Sequence, residues 1–141
     1  MLDKAEYYHG AAVVSLLEND NAFSIRKKGF LGYVVNDKIF VFLKYTTKAK
    51  TPWRFTFDQE DIDRCLKMSA EHQGVVFGLV CGGDGICGLK WNEVRSLLGD
   101  KPGWISAKRK HNESYAVAGS ENELERKITV GRWSTFISDM I

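Results

Sequence analysis

A chain of 141 residues, 44% hydrophobic and 27% charged, is long enough to bury one sizeable core and too apolar to be a disordered segment. A net charge of +2 decides little: a dedicated, sequence-independent nucleic-acid binder is usually more basic overall, although a local basic patch suffices for such a task. The three cysteines, Cys65, Cys81 and Cys87, are odd in number and lack paired spacing. They exclude the disulfide framework of a small secreted domain and fit reduced thiols in the cytoplasm.

The opening stretch MLDKAEYYHGAAVVSLLEND has an apolar patch at residues 11–17 that is too short to cross a bilayer. It carries Asp3 and Glu6 where a signal peptide is basic, so neither export nor a membrane span is expected. Ala12, Val13, Leu16 and Leu17 share one face of a helix over residues 5–18, stopped by Asn19-Asp20-Asn21. Strands follow at 23–27 and 31–35, with a turn at Lys28-Gly29 between them. A tight turn at Asn36-Asp37 leads into a strand at 39–45. The run Ile39-Phe40-Val41-Phe42-Leu43 is apolar without alternation, which places it at the centre of a sheet covered on both faces.

Pro52 cannot donate to a ladder, so the next strand begins after it, at 53–57, where Trp53, Phe55 and Phe57 alternate with Arg54 and Thr56. Phe55 and Phe57 are core; Trp53 is left open, a ring that could also be exposed for contact. Asp58 caps a helix that turns Ile62, Cys65, Leu66 and Met68 inward, with Asp61 as a first-turn acid. Strands at 75–81 and 86–89 flank the turn Gly82-Gly83-Asp84-Gly85, and a helix at 91–98 closes on Gly99. The last third reads as a three-stranded meander, at 104–108, 114–118 and 124–130, followed by a helix at 132–140. The whole is one α+β domain over 1–141, a core at about 5–99 with a β-rich extension at about 103–141.

Three segments, YYHGAAVVSLLE, VNDKIFVFLKYTTKAKTPWRFTF and VVFGLVCGGDGICGLKWNEVRSLL, carry a resemblance that spans about two thirds of the chain. They look like those of an uncharacterised bacterial protein family with an "IND…yxKYSSKrxSPWxFTF" core and a "CGxDGI" hairpin. The order of helix, strands, helix and further strand also resembles the αβββαβ core of restriction-endonuclease-like, or PD-(D/E)XK, nucleases. That resemblance puts the nuclease lysine on Lys44, the acid two residues before it on Phe42, and the first acid at or near Gly32 or Asp37. A phenyl ring cannot ligate Mg²⁺, and a turn aspartate such as Asp37 explains itself by bonding its own turn. Glu6 or Glu18 could supply a single relocated ligand. The resemblance therefore implies the nuclease-like fold without its catalysis, and no metal or other cofactor is expected.

Lys44, Lys48, Lys50 and Arg54, interleaved with Thr46, Thr47 and Trp53, form the mixture of cations and hydroxyls that holds phosphate oxygens. They are the candidate nucleic-acid-binding residues. Two other readings stand beside this one: a protein-interaction or structural subunit of a bacterial complex with a merely solvated loop, and an active nuclease with relocated carboxylates. His9, His72 and His111 are isolated in sequence, and CGGDGIC lacks the further ligands of a zinc site and the Lys-Ser/Thr pair of a nucleotide loop. The run Lys108-Arg109-Lys110-His111 is the most basic in the chain and reads as a solvated hairpin tip.

Overall fold

The computed structural model describes residues 3–17, 24–28 and 32–136. Their order is α1 (Lys4–Leu17), β1 (Ile25–Lys28), β2 (Gly32–Val35), β3 (Ile39–Thr46), β4 (Trp53–Phe57) and α2 (Gln59–Glu71), then β5 (Gly74–Cys81), β6 (Gly85–Lys90), α3 (Trp91–Leu98), β7 (Gly103–Lys108), β8 (Ala116–Gly119) and α4 (Arg132–Phe136). The protein is a mixed α+β domain. The expected turn at Lys28-Gly29, the start of the first strand at Phe23 and the end of the last helix lie outside the described residues.

β3 is the middle strand of a five-stranded sheet in the order β1-β2-β3-β5-β6. β1, β2 and β3 form an antiparallel meander. Its β2–β3 turn places Asn36 and Asp37 at φ 52 and 56, the left-handed pair that matches the twist of a two-residue hairpin. β5 returns parallel to β3 through α2, as a parallel pair requires a crossover. The unbroken apolar run follows from this position: Phe40 and Phe42 are buried against one layer, Ile39 and Val41 against the other.

On the Phe42 side lie α2, α3 and a second, three-stranded sheet in the order β4-β7-β8. The Phe42 ring sits 5.4 Å from Phe77 and 6.2 Å from Phe57, centroid to centroid. β4 does not belong to the first sheet but pairs with β7 along its length, from Trp53 opposite Ala107 to Phe57 opposite Gly103. Ile105, Ala107, Tyr115 and Val117 of the segment after residue 103 belong to the same core cluster as Phe42 and Phe77. Residues 124–130 form no strand; the isolated bridges of this region are Tyr115–Ile128 and Ala118–Glu123. Of that segment only Ile128 is fully buried, too little apolar surface to pin a continuous ladder.

α2 opens on a reciprocal capping box: the Asp61 amide donates to Asp58 Oδ1 (2.8 Å) and the Asp58 amide to Asp61 Oδ2 (3.1 Å). Ile62, Cys65 and Met68 point into the core, but Leu66 is exposed, because it falls one residue past the buried stripe. α3 ends on Gly99 in the left-handed conformation, φ 68. The three cysteines are buried and unpaired. Burial pushes the Cys65 and Cys81 thiols up to about 12 and Cys87 well above its ordinary value, so all three are inert apolar filling.

α1 and α4 cover the other face. Ala12 and Leu16 pack on Val41, Val76 and Val80 together with Trp133, whose indole N–H donates to the Ala12 carbonyl at 3.0 Å. Gly78 of β5 makes room for that ring. A Cβ there would stand 2.7 Å from Leu43 and 2.9 Å from Trp133.

Candidate nucleic-acid interface

Lys44 leaves the core on the same face as Phe42. Its ammonium lies 2.9 Å from Asp61 Oδ2 and over the rings of Phe57 (5.0 Å) and Phe42 (5.7 Å). The first-turn acid of α2 thus has two tasks, closing the capping box and meeting the lysine. Asp61 is the one buried charged side chain among the described residues. Asp37 sits at the opposite end of β3, seven positions away or roughly 20 Å along an extended strand, where it accepts from Arg26 at 2.8 Å. Glu6 is exposed on α1, and Glu18 lies outside the described residues. No group of three His, Cys, Asp or Glu side chains suited to a cation occurs among the described residues.

The loop after β3 is built inward by one ring and outward by its charges. The Trp53 indole N–H donates to the Lys48 carbonyl (2.9 Å), and Lys48 Nζ reaches the Pro52 carbonyl (3.0 Å) across a cis Thr51-Pro52 bond. The Gly82 amide donates to the Thr46 carbonyl (3.0 Å). Gly82 has φ +55, and a side chain there would collide with the Lys48 carbonyl. Trp53 is only 2% exposed. The possibility of an exposed contact ring at this position is corrected: its buried face and edge-on packing against Tyr115 make it a strut of the loop.

Thr47, Lys48 and Lys50 are exposed, Lys44 and Thr46 are half-buried, and Arg54 is exposed with its guanidinium 4.4 Å over Trp104. Among the described residues no carboxylate pairs with Lys48, Lys50 or Arg54. Their charge is free for an external anion.

A pocket of about 340 Å³ opens beside them, where Lys44, Thr46, Arg54 and Thr56 meet His9 and Tyr45. It exists because the two neighbours of β3 differ in length. β5 accompanies β3 to Thr46, whereas β2 is in register only to Val41. The last turn of β3 therefore presents an edge towards α1 and β4.

The sequence reading missed the α1 side of this site. Tyr8 stacks on Tyr45 with centroids 5.0 Å apart and planes 14° apart, Tyr7 meets Tyr8 edge-on at 5.1 Å, and His9 lies edge-on to Tyr33 and Tyr45. His9 Nδ1 is 3.4 Å from the Tyr33 hydroxyl. Burial first and the Lys27 cation second hold the imidazole below its ordinary pKa, against an opposing pull from Asp3. The signal was the adjacent Tyr7-Tyr8-His9, which one helical turn brings to the same end of the sheet.

The other basic run adjoins the loop, the Arg109 amide donating to Thr51 Oγ1 at 3.2 Å, but its arginine side chain is engaged elsewhere. Arg109 donates from Nε and from its terminal nitrogen to the two oxygens of Asp84, at 2.7 and 2.8 Å, and the buried Tyr115 hydroxyl donates to the same carboxylate at 2.8 Å. Burial raises the Tyr115 phenol far above its ordinary value. The GGDG turn is thereby a clamp between the β5–β6 hairpin and the β7–β8 connection. Lys108 and Lys110 are exposed on either side of it.

Comparison with protein-family models, with curated proteins and with solved structures returns no match. No helix among the described residues is long and apolar enough to cross a membrane.

Proposed function

We propose that this domain binds nucleic acid through the end of β3 and the following loop, and that it does so without cleaving it. The observation that carries the reading is the convergence at one pocket of Lys44, Arg54, Thr46 and Thr56, with no carboxylate among the described residues paired with Arg54 or with Lys48 and Lys50 of the adjoining loop. Such sites hold phosphate oxygens through charge and hydroxyl donors, independently of base sequence. With β4 set apart in the second sheet, the order α1, antiparallel β1-β2-β3, α2 and parallel β5 supports reading the domain on the restriction-endonuclease-like core that the sequence resemblance implies. In that frame Lys44 takes the place of the nuclease lysine. Phe42, 3% exposed among aromatic rings, replaces the acid, and Asp61 takes up the lysine's charge.

Fluorescence anisotropy with labelled oligonucleotides tests the reading. Binding is expected at low salt and falls steeply towards physiological salt, as released counterions require. No cleavage is expected with Mg²⁺ or Mn²⁺. Metal-dependent nicking abolished by Lys44→Ala would overturn the non-catalytic half, and absence of binding at low salt would overturn the other. In the latter case the alternative is a protein-interaction module, favoured by the exposed Tyr7 and Val14 one above the other on α1.

A further inference from the structure

We propose that the site selects single strands over duplex, stacking unpaired bases on the tyrosines of α1 and β3 while phosphates meet Arg54, Lys48 and Lys50. The inference rests on the nucleic-acid reading above and goes beyond it by naming the form of the polymer.

Tyr7 and Tyr45 are the only large aromatic side chains among the described residues that are exposed, at 64% and 36%. The other Phe, Tyr and Trp rings among the described residues are at least partly covered. The two exposed ones belong to one cluster, joined through Tyr8. Packing α1 onto the sheet accounts for Tyr8, which lies between them. It does not account for Tyr7, which leaves most of its ring in water and gains little from burial.

The cluster borders the pocket that Tyr45 itself helps to line, together with Arg54 and the hydroxyls of Thr46 and Thr56. Its volume of about 340 Å³ falls at the lower end of the range for pockets that take a small ligand, about 300–1,000 Å³. Aromatic faces beside a cationic track are the means by which proteins hold single-stranded nucleic acid, because every unpaired base has a π face. In a duplex those faces are stacked on one another and only phosphates and groove edges remain. The open ring of Tyr7 and the uncovered part of Tyr45 therefore discriminate by strandedness.

The test is anisotropy at low salt with three probes of equal length, about sixteen nucleotides: a thymidine oligonucleotide, a uridine oligonucleotide and a mixed-sequence duplex. At least one single strand is expected to bind about tenfold more tightly than the duplex, the thymidine and uridine arms distinguishing DNA from RNA as the source. Tyr7→Ala and Tyr45→Leu are expected to weaken the single strand, each by roughly fivefold to a hundredfold, the range of lost base stacking. Both weaken the duplex by less than they weaken the single strand, and Tyr45→Phe keeps the preference for the single strand. Tyr45→Leu keeps an apolar side chain over Tyr8; if it nevertheless fails to fold, the exposed Tyr7 carries the test alone. Equal affinity for strand and duplex, or parental binding by both stacking variants, overturns the inference while leaving phosphate binding intact. Absence of binding to all three probes overturns the underlying reading as well.

Discussion

The run at residues 108–111 sets three cations in consecutive positions, and the loop at 44–54 is more dilute, yet their availability for binding is reversed in the fold. Arg109 gives two nitrogens to Asp84 and a third to the Glu113 carbonyl. Lys48, Lys50 and Arg54 meet no carboxylate among the described residues. The same β5–β6 turn touches both segments, bonding the loop through Gly82 and the tip through Asp84. A guanidinium held bidentately in a partly buried setting is a structural part, whereas cations whose only partners are carbonyls or rings keep their charge for solvent and ligands. Basic density along a sequence is therefore a poor measure of free charge.

The sharpest way to break this contrast is at the clamp. Asp84→Ala leaves the Arg109 charge and the buried Tyr115 hydroxyl without their acceptor, and should lower stability by about 3 kcal/mol, the scale of a broken buried pair. Urea denaturation reads the effect, and a change under about 1 kcal/mol would mean that the tip is as loosely tied as a surface ion pair. Next in size is the double variant Lys48→Ala with Lys50→Ala. It should weaken nucleic-acid binding by about tenfold, or about 1.4 kcal/mol, and flatten the logarithmic salt dependence by roughly two. The matching change at Lys108 and Lys110 should leave affinity within about twofold under the same low-salt titration.

Trp53→Phe sharpens the comparison from the side of the loop. It removes the indole hydrogen bond to Lys48 while keeping an aromatic ring in the core, and should cost about 1 kcal/mol in thermal or urea unfolding. The smallest effect concerns His9. Its folded pKa lies below the ordinary 6.5, so the unfolded chain takes up a proton there more readily. The stabilising contribution is present above about pH 6.5 and is lost as pH falls through that value towards the folded pKa. His9→Gln should remove this part of the pH dependence, seen as melting curves of parent and variant that differ in slope between about pH 7 and 5.

What the sequence made legible follows from how much each pattern determines. An unbroken apolar run such as Ile39 to Leu43 can be satisfied only between two layers, and the positive-φ pair at Asn36 and Asp37 is written in residues that tolerate it. The order of the elements could be read for the same reason. Alternation at Trp53, Phe55 and Phe57 says that one face is buried but not against which sheet. The pairing of β4 with β7, 46 to 54 positions away in sequence, therefore stayed out of view. Asp61 was read as a first-turn acid suited to the helix dipole, and its bond to Lys44 depends on a contact between a strand end and a helix start that no local pattern encodes. The loop's cations were legible as a candidate patch. Their tyrosine neighbours were not, since α1 and β3 meet only in three dimensions, and Trp53 was ambiguous until its indole found the Lys48 carbonyl.

The bond from Trp133 to the Ala12 carbonyl also has a meaning in time. It joins positions 121 residues apart, a separation that makes loop closure entropically costly and contacts of this kind slow to form. During synthesis at about 5–20 residues per second, α1 waits on the order of ten seconds for the indole that fastens it. Until then the valines on its side of the sheet have only half their cover. Nascent chains interrupted between β8 and α4 should thus be the species that chaperones hold and proteases find.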